Sequence, residues 1–196
     1  MSRRGGVRCS RAGFMAVGVV FLVAGCGSST DGEAVGVEGT TTGQGLAAEV
    51  PAGFDPCKDI PKSVLDSEGL RVASSNNNAD YDGAGGIKWR GCRWASPDGY
   101  GVGITTTNLT VEQVRANTKL TVRAEYTVDG RAAVAASRSD TKNPRSVCTL
   151  TIAMQGGGLE FSLDNPDSRR KTGHLDTCEL ARGLAEKVVP LIPAGA

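Results

Sequence analysis

Residues 146–163 read SVCTLTIAMQGGGLEFSL, and the fold turns on this stretch. Cys148, Leu150 and Ile152 alternate with Thr149 and Thr151, the period of two that sends successive side chains to opposite faces of a strand. The glycine triplet Gly156–Gly158 follows, and then the run Leu159–Leu163. Two such runs about a glycine-rich turn predict a β-hairpin. Upstream, Leu120–Val128 and Arg131–Ser137 flank Asp129-Gly130, a strong two-residue hairpin signal. Ile87–Ala95 and Tyr100–Thr107 read as two more strands, joined at the turn Ser96-Pro97-Asp98-Gly99.

Three helices complete the pattern. Asp59 is expected to cap a helix with Pro61 in its first turn, Val64 and Leu65 on its apolar face and Gly69 at its end. Thr110 and Gln113 make a capping box for a short helix to about Thr118. From Leu175 to Leu191, Leu175, Cys178, Ala181, Leu184, Ala185 and Val188 fall at helical spacing. Ser74–Gly86, polar and glycine-rich, is expected to be a loop. The expected fold is α+β: an antiparallel sheet of about five to six strands, packed by N-terminal and C-terminal helices and held by two disulfides, in one domain over residues 54–196.

The chain starts differently. Arg3, Arg4, Arg8 and Arg11 precede an apolar block from Phe14 to Ala24. A basic region, a short apolar core and a small-residue junction describe a secretory signal peptide, here residues 1–25. The block is too short to span a bilayer, which takes about 20 apolar residues. It closes on Leu22-Val23-Ala24-Gly25-Cys26, which resembles the lipobox of bacterial lipoproteins. That resemblance implies a diacylglyceryl group on the Cys26 thiol and cleavage just before it. Residues 26–53 then form the lipidated cysteine and a flexible tether. Gly27–Gly53 is rich in small and polar residues, carries Asp31, Glu33, Glu38 and Glu49, and has no Lys, Arg or aromatic residue. A coil of that length spans about 30 Å.

Export bears on the other cysteines. Cys9 leaves with the signal and Cys26 carries lipid, so Cys57, Cys92, Cys148 and Cys178 remain. An even number in an oxidising compartment implies two disulfides, with three possible connectivities. The gaps of 34, 55 and 29 intervening residues do not resemble a zinc module. Cys148 lies on the more apolar face of its strand, and Cys178 shares a helix face with Ala181, Ala185 and Val188. If that helix covers that sheet face, the preferred pairs are Cys148–Cys178 and Cys57–Cys92.

Little in the sequence announces chemistry. With the signal removed, 18 basic residues face 21 acidic ones, a net −3, so no nucleic-acid partner is expected. His174 is the sole histidine and stands at the polar entrance of the last helix. Asp80 and Asp82 lack the remainder of a calcium-loop pattern. No metal, cofactor or catalytic residue is expected. Trp89 and Trp94 are the candidate binding residues. They differ by an odd number and so face opposite ways on a regular strand, unless a bulge at Gly91 resets the phase. An exposed tryptophan beside Arg90 or Arg93 would make a binding hot spot. The run Arg169-Arg170-Lys171 reads as a solvated loop.

Taken in order, the lipobox, the polar tether, Asp55-Pro56-Cys57, Cys92-Arg93-Trp94, Gly130-Arg131-Ala132, Cys148-Thr149-Leu150-Thr151-Ile152 and Cys178 resemble an actinobacterial lipoprotein family, domain of unknown function 3558. The matching pieces cover most of Phe54–Pro193. The resemblance implies a compact α+β domain on the outer face of the cytoplasmic membrane, and it implies no activity. The expected function is that of a non-enzymatic, membrane-anchored lipoprotein, held by the lipid at Cys26 on the extracytoplasmic face, whose domain binds an envelope or membrane protein. The alternative is a carrier or sensor of a small apolar or lipid ligand. Replacing the thiol tests the anchor: Cys26→Ala should abolish acylation, read as loss of the lipid mass and of membrane association, while the domain still folds.

Overall fold

Alternating strands with apolar residues on one side must bury that side, and in this chain a terminal helix covers it. The computed structural model describes residues 45–72 and 74–196. The expected signal peptide, Cys26 and the expected tether as far as residue 44 lie outside the described residues. Two short helices, α1 (Pro56–Asp59) and α2 (Lys62–Ser67), open the domain. Next come β1 (Arg71–Val72), β2 (Tyr81–Asp82), β3 (Lys88–Ala95), β4 (Gly101–Thr107) and α3 (Val111–Ala116). The hairpin β5 (Leu120–Val128) and β6 (Arg131–Arg138) precedes the hairpin β7 (Val147–Met154) and β8 (Gly157–Asp164), and α4 (Thr177–Val188) follows.

All strands join one antiparallel sheet in the order β1-β3-β4-β8-β7-β6-β5, with β2 also paired to β3. The count is eight, which corrects the expected five to six. The six long strands stand where the sequence placed them, except that β8 starts at Gly157, so the turn is Gln155-Gly156 and not the glycine triplet. The two additions are two-residue strands on the outer edge of β3, too short to carry any period, and β2 lies within the stretch read as a loop. The Asp129-Gly130 turn has positive φ at both residues, 47° and 75°, as a type I′ hairpin turn requires.

The first helix is also corrected. Asp55, not Asp59, accepts the N–H of Cys57 and caps α1, while Asp59 reaches back to accept the Asp55 N–H at 2.7 Å. The chain bends at Pro61 and restarts as α2. Gly69, at φ 65°, ends α2 with Leu70 N–H on Leu65 O and Gly69 N–H on Asp66 O, the paired bonds of a Schellman cap. The last helix starts at Thr177, capped by Asp176. Leu175 lies outside it and is exposed.

Residue parity sorts the sheet into two faces. Cys92, Ile104, Phe161, Leu150 and Ala135 lie across one row of the ladder and are buried with Leu184 and Val188 of α4. Their neighbours Val134 and Ala136 point the other way, to Val111 and Val114 of α3. Both preferred disulfides are present, Cys57–Cys92 and Cys148–Cys178, with Cα atoms 5.3 and 5.1 Å apart. The buried hydroxyl of Tyr100 donates to Glu68, which also pairs with Lys187, linking the start of β4 to the end of α2 and to α4.

Contacts with the domain begin ahead of Phe54. Pro51 is buried, and the Ala47 carbonyl accepts the Asn108 side-chain N–H at 2.7 Å. Asn108, fully buried, also donates to Gly86 O and accepts the Lys88 N–H. Among the described residues no helix is long and apolar enough to cross a membrane. A disulfide closing a loop of about 30 residues stabilises by roughly 3–4 kcal/mol in the chain-entropy account. The double substitution Cys148→Ser/Cys178→Ser should therefore lower unfolding free energy by about that much, measured by urea denaturation against the parent.

Candidate functional site

The sheet face opposite α4 is only partly roofed. The six residues of α3 pack over β5, β6 and β7. Its apolar contribution is small, Val111 and Val114 with Leu109 before it. Over β3, β4, β8 and the near end of β7 the face carries Thr105, Ser162, Thr149 and Gly103, side chains that do not demand burial. A groove of about 860 Å³ lies there, within the range of ligand pockets.

Trp89 and Glu160 join across this groove. The ladder between β3 and β4 runs unbroken from Trp89↔Thr107 to Ala95↔Gly101, so Gly91 introduces no bulge and the two tryptophans face opposite ways. Trp94 belongs to the core, at 5 % exposure, and Trp89 stands on the groove face. Its indole N–H donates to Glu160 Oε2 at 3.1 Å. To do so it crosses β4, because Glu160 is paired with Thr105, and Thr105 with Gly91. Gly91 is required here for a steric reason: a Cβ would come within 2.2 Å of the Ile104 carbonyl oxygen. Tyr81 of β2 packs beside Trp89, ring centroids 5.7 Å apart, and Gly83 leaves room for the indole edge, which a Cβ there would meet at 2.8 Å.

Charge is distributed unevenly around the groove. Arg93 donates through Nε and Nη2 to the Asn78 carbonyl at 3.1 and 2.8 Å. Arg138 is paired with Asp140. Glu160 accepts only the Trp89 indole and forms no ion pair among the described residues. Burial pushes its carboxyl above the ordinary range, and the indole hydrogen bond, which favours the ionised form, offsets this in part.

Of the residues nominated from sequence, the four cysteines serve as cross-links and Trp89 lines the groove. Cys26 lies outside the described residues. His174 is exposed, and its carbonyl accepts from Arg145. Asp80 accepts the Gly91 N–H and Asp82 pairs with Arg90, so both acids have structural partners. Arg170 pairs with Asp98. Sequence reasoning missed Glu160 and Tyr81. The alternation Leu159, Phe161, Leu163 already sets Glu160 on the polar face, but nothing local points to an indole 71 residues away.

The raised carboxyl gives a signed pH dependence. The folded protein holds the Glu160 proton more tightly than the unfolded chain, so this group's stability contribution is complete below the unfolded carboxylate value. It is lost as pH rises through the raised folded value. Glu160→Gln removes that loss. The variant should gain stability relative to the parent at pH 8, and the difference should shrink at pH 4, measured by urea midpoints at the two values.

No curated protein and no solved structure matches the chain. One family model does, over residues 21–191, a span that includes both disulfides and the whole Trp89–Glu160 groove. The chain therefore belongs to the family described as Protein of unknown function (DUF3558).

Proposed function

We propose that this protein is a non-enzymatic, lipid-anchored domain on the extracytoplasmic face of the cell membrane, and that the open groove binds an envelope or membrane protein. The observation that carries this reading is the half-roofed sheet face. An aromatic pair, a carboxyl without a counter-ion and several hydroxyls line one concave surface there, and aromatic residues beside polar groups are typical of interface hot spots. The anchor is supported by the basic start, the short apolar block and Leu22–Cys26. Because Ala47 and Pro51 pack on the domain, the tether is read as the coil of about 20 residues ahead of them, with a reach of roughly 25 Å. A small apolar or lipid cargo between sheet and helix has less support. Leu150, Phe161, Leu184 and Val188 fill that space and are fully buried.

Gly103 offers a direct test, since a Cβ built there meets nothing within 4 Å. Gly103→Tyr should fill the groove without disturbing the ladder. The parent protein, cross-linked in its own membranes and solubilised in detergent, should retain a defined protein partner. Gly103→Tyr should lose it at unchanged melting temperature, and Cys26→Ala should reduce it by leaving the membrane. Equal retention by the Gly103→Tyr variant would remove the groove from the reading.

A further inference from the structure

An ionisable carboxyl drawn away from water is stable when a counter-charge or several donors meet it. Glu160 has one neutral donor, the Trp89 indole, on Oε2. Among the described residues the one buried side-chain polar atom without any partner is Thr151 Oγ1. Glu160 Oε1, which receives no hydrogen bond, is therefore not sealed away and is reached from the groove that the residue lines. The cations at the rim are engaged, Arg138 by Asp140 and Arg93 by the Asn78 carbonyl. The groove thus holds a carboxylate oxygen that no donor meets, while each of the two rim guanidiniums already has an acceptor.

The surrounding groups narrow the cation. Thr105 is the cross-strand partner of Glu160, Ser162 is the next residue on the same face, and Thr149 is paired with Ser162. All three line the groove. Their hydroxyl oxygens can accept the N–H bonds that a carboxylate oxygen alone would leave unmet on a three-donor ammonium. The faces of Trp89 and Tyr81 add attraction for a cation and a wall for its alkyl stem. A bare metal ion would want several strong ligands at short range, and among the described residues no three His, Cys, Asp or Glu side chains come together to hold one.

The geometry points to an alkylammonium site in the groove, with Glu160 as counter-ion, Trp89 holding that carboxylate in place and the Thr105, Ser162 and Thr149 hydroxyls taking the remaining N–H donors. This deepens the reading of the groove as a recognition surface and rests on it: the partner presents a lysine side chain there. A small free amine carries the same chemistry and is separated from it by experiment.

The test follows the indole N–H resonances of the intact domain, with buried Trp94 as the internal reference for Trp89. The probes are n-butylammonium chloride, a short lysine peptide, the same peptide acetylated at Nε, and n-butanol. The first two should shift the Trp89 signal saturably, and the acetylated peptide and the alcohol should not. Glu160→Gln, which keeps a carbonyl oxygen for the indole, should weaken ammonium binding about tenfold or more. A peptide that binds much more tightly than n-butylammonium assigns the site to a protein lysine, and equal binding assigns it to a small amine. A response to n-butanol equal to that of the amine, or undiminished amine binding in Glu160→Gln, overturns the inference. If partner retention still depends on Gly103 in that event, the recognition reading survives without it. If the amines bind but retention ignores Gly103→Tyr, that reading falls and the ammonium site stands as a small-amine site.

Discussion

The bond between Cys148 and Cys178 ties β7 to the first turn of α4 and so determines which side of the sheet is inside. Because strand side chains alternate, fixing one residue's side fixes them all. With Cys148 turned to the helix, Leu150, Ile152, Phe161 and Ile104 are committed to the core, and Thr149, Glu160, Ser162 and Gly103 to the opposite face. Burying these four apolar side chains contributes on the order of 1.5–3 kcal/mol each. A slip of one residue in register would forfeit all of them together.

The opposite face follows from the same commitment. It lacks the apolar area that would draw a long helix over it, and α3 supplies one turn and a half, enough for Val134 and Ala136. What remains uncovered is mostly hydroxyl, glycine and charge, which water tolerates. Trp89 is the exception, a large apolar ring on a polar surface, and it is steadied by Tyr81 on one side and by Glu160 at its N–H. A side chain held in this way loses little freedom when a ligand arrives, which lowers the entropic cost of binding.

Much of this was legible in the residues. The six long strands and the capping box at Thr110 follow from period and turn chemistry, and the preferred Cys148–Cys178 pair follows from the faces on which those two cysteines fall, with Cys57–Cys92 as the pair left over. Elements defined by distant partners were not. β1 and β2 exist because β3 has an outer edge to cover, and two residues carry no pattern of their own. Asn108 carries no local signal of its role, yet it is buried and bonds to Ala47, Gly86 and Lys88. Local cap competition moved the first helix: Asp55 and Asp59 satisfy one another's turn, so the helix starts at Pro56 and breaks at Pro61. The groove was half visible, as a polar strand face with a tryptophan of the right parity. The Trp89–Glu160 contact depends on strand order, which no local window contains.

The cross-link between Cys57 and Cys92 also sets a mechanical path. Tension drawn through the chain ahead of residue 45 would load the Ala47–Asn108 bond first, and past it Cys57, from which the S–S bond leads to the middle of β3. The part of α1 beyond Cys57, α2 and the edge strands β1 and β2 lie on the loop that this bond closes. The 34 residues between the two cysteines cannot be drawn out as slack. The pull meets instead the seven paired residues that hold β3 to β4, the same ladder on which Trp89 and Gly103 stand. A pull on the chain ahead of the domain and a load placed on the groove would therefore bear on one pair of strands.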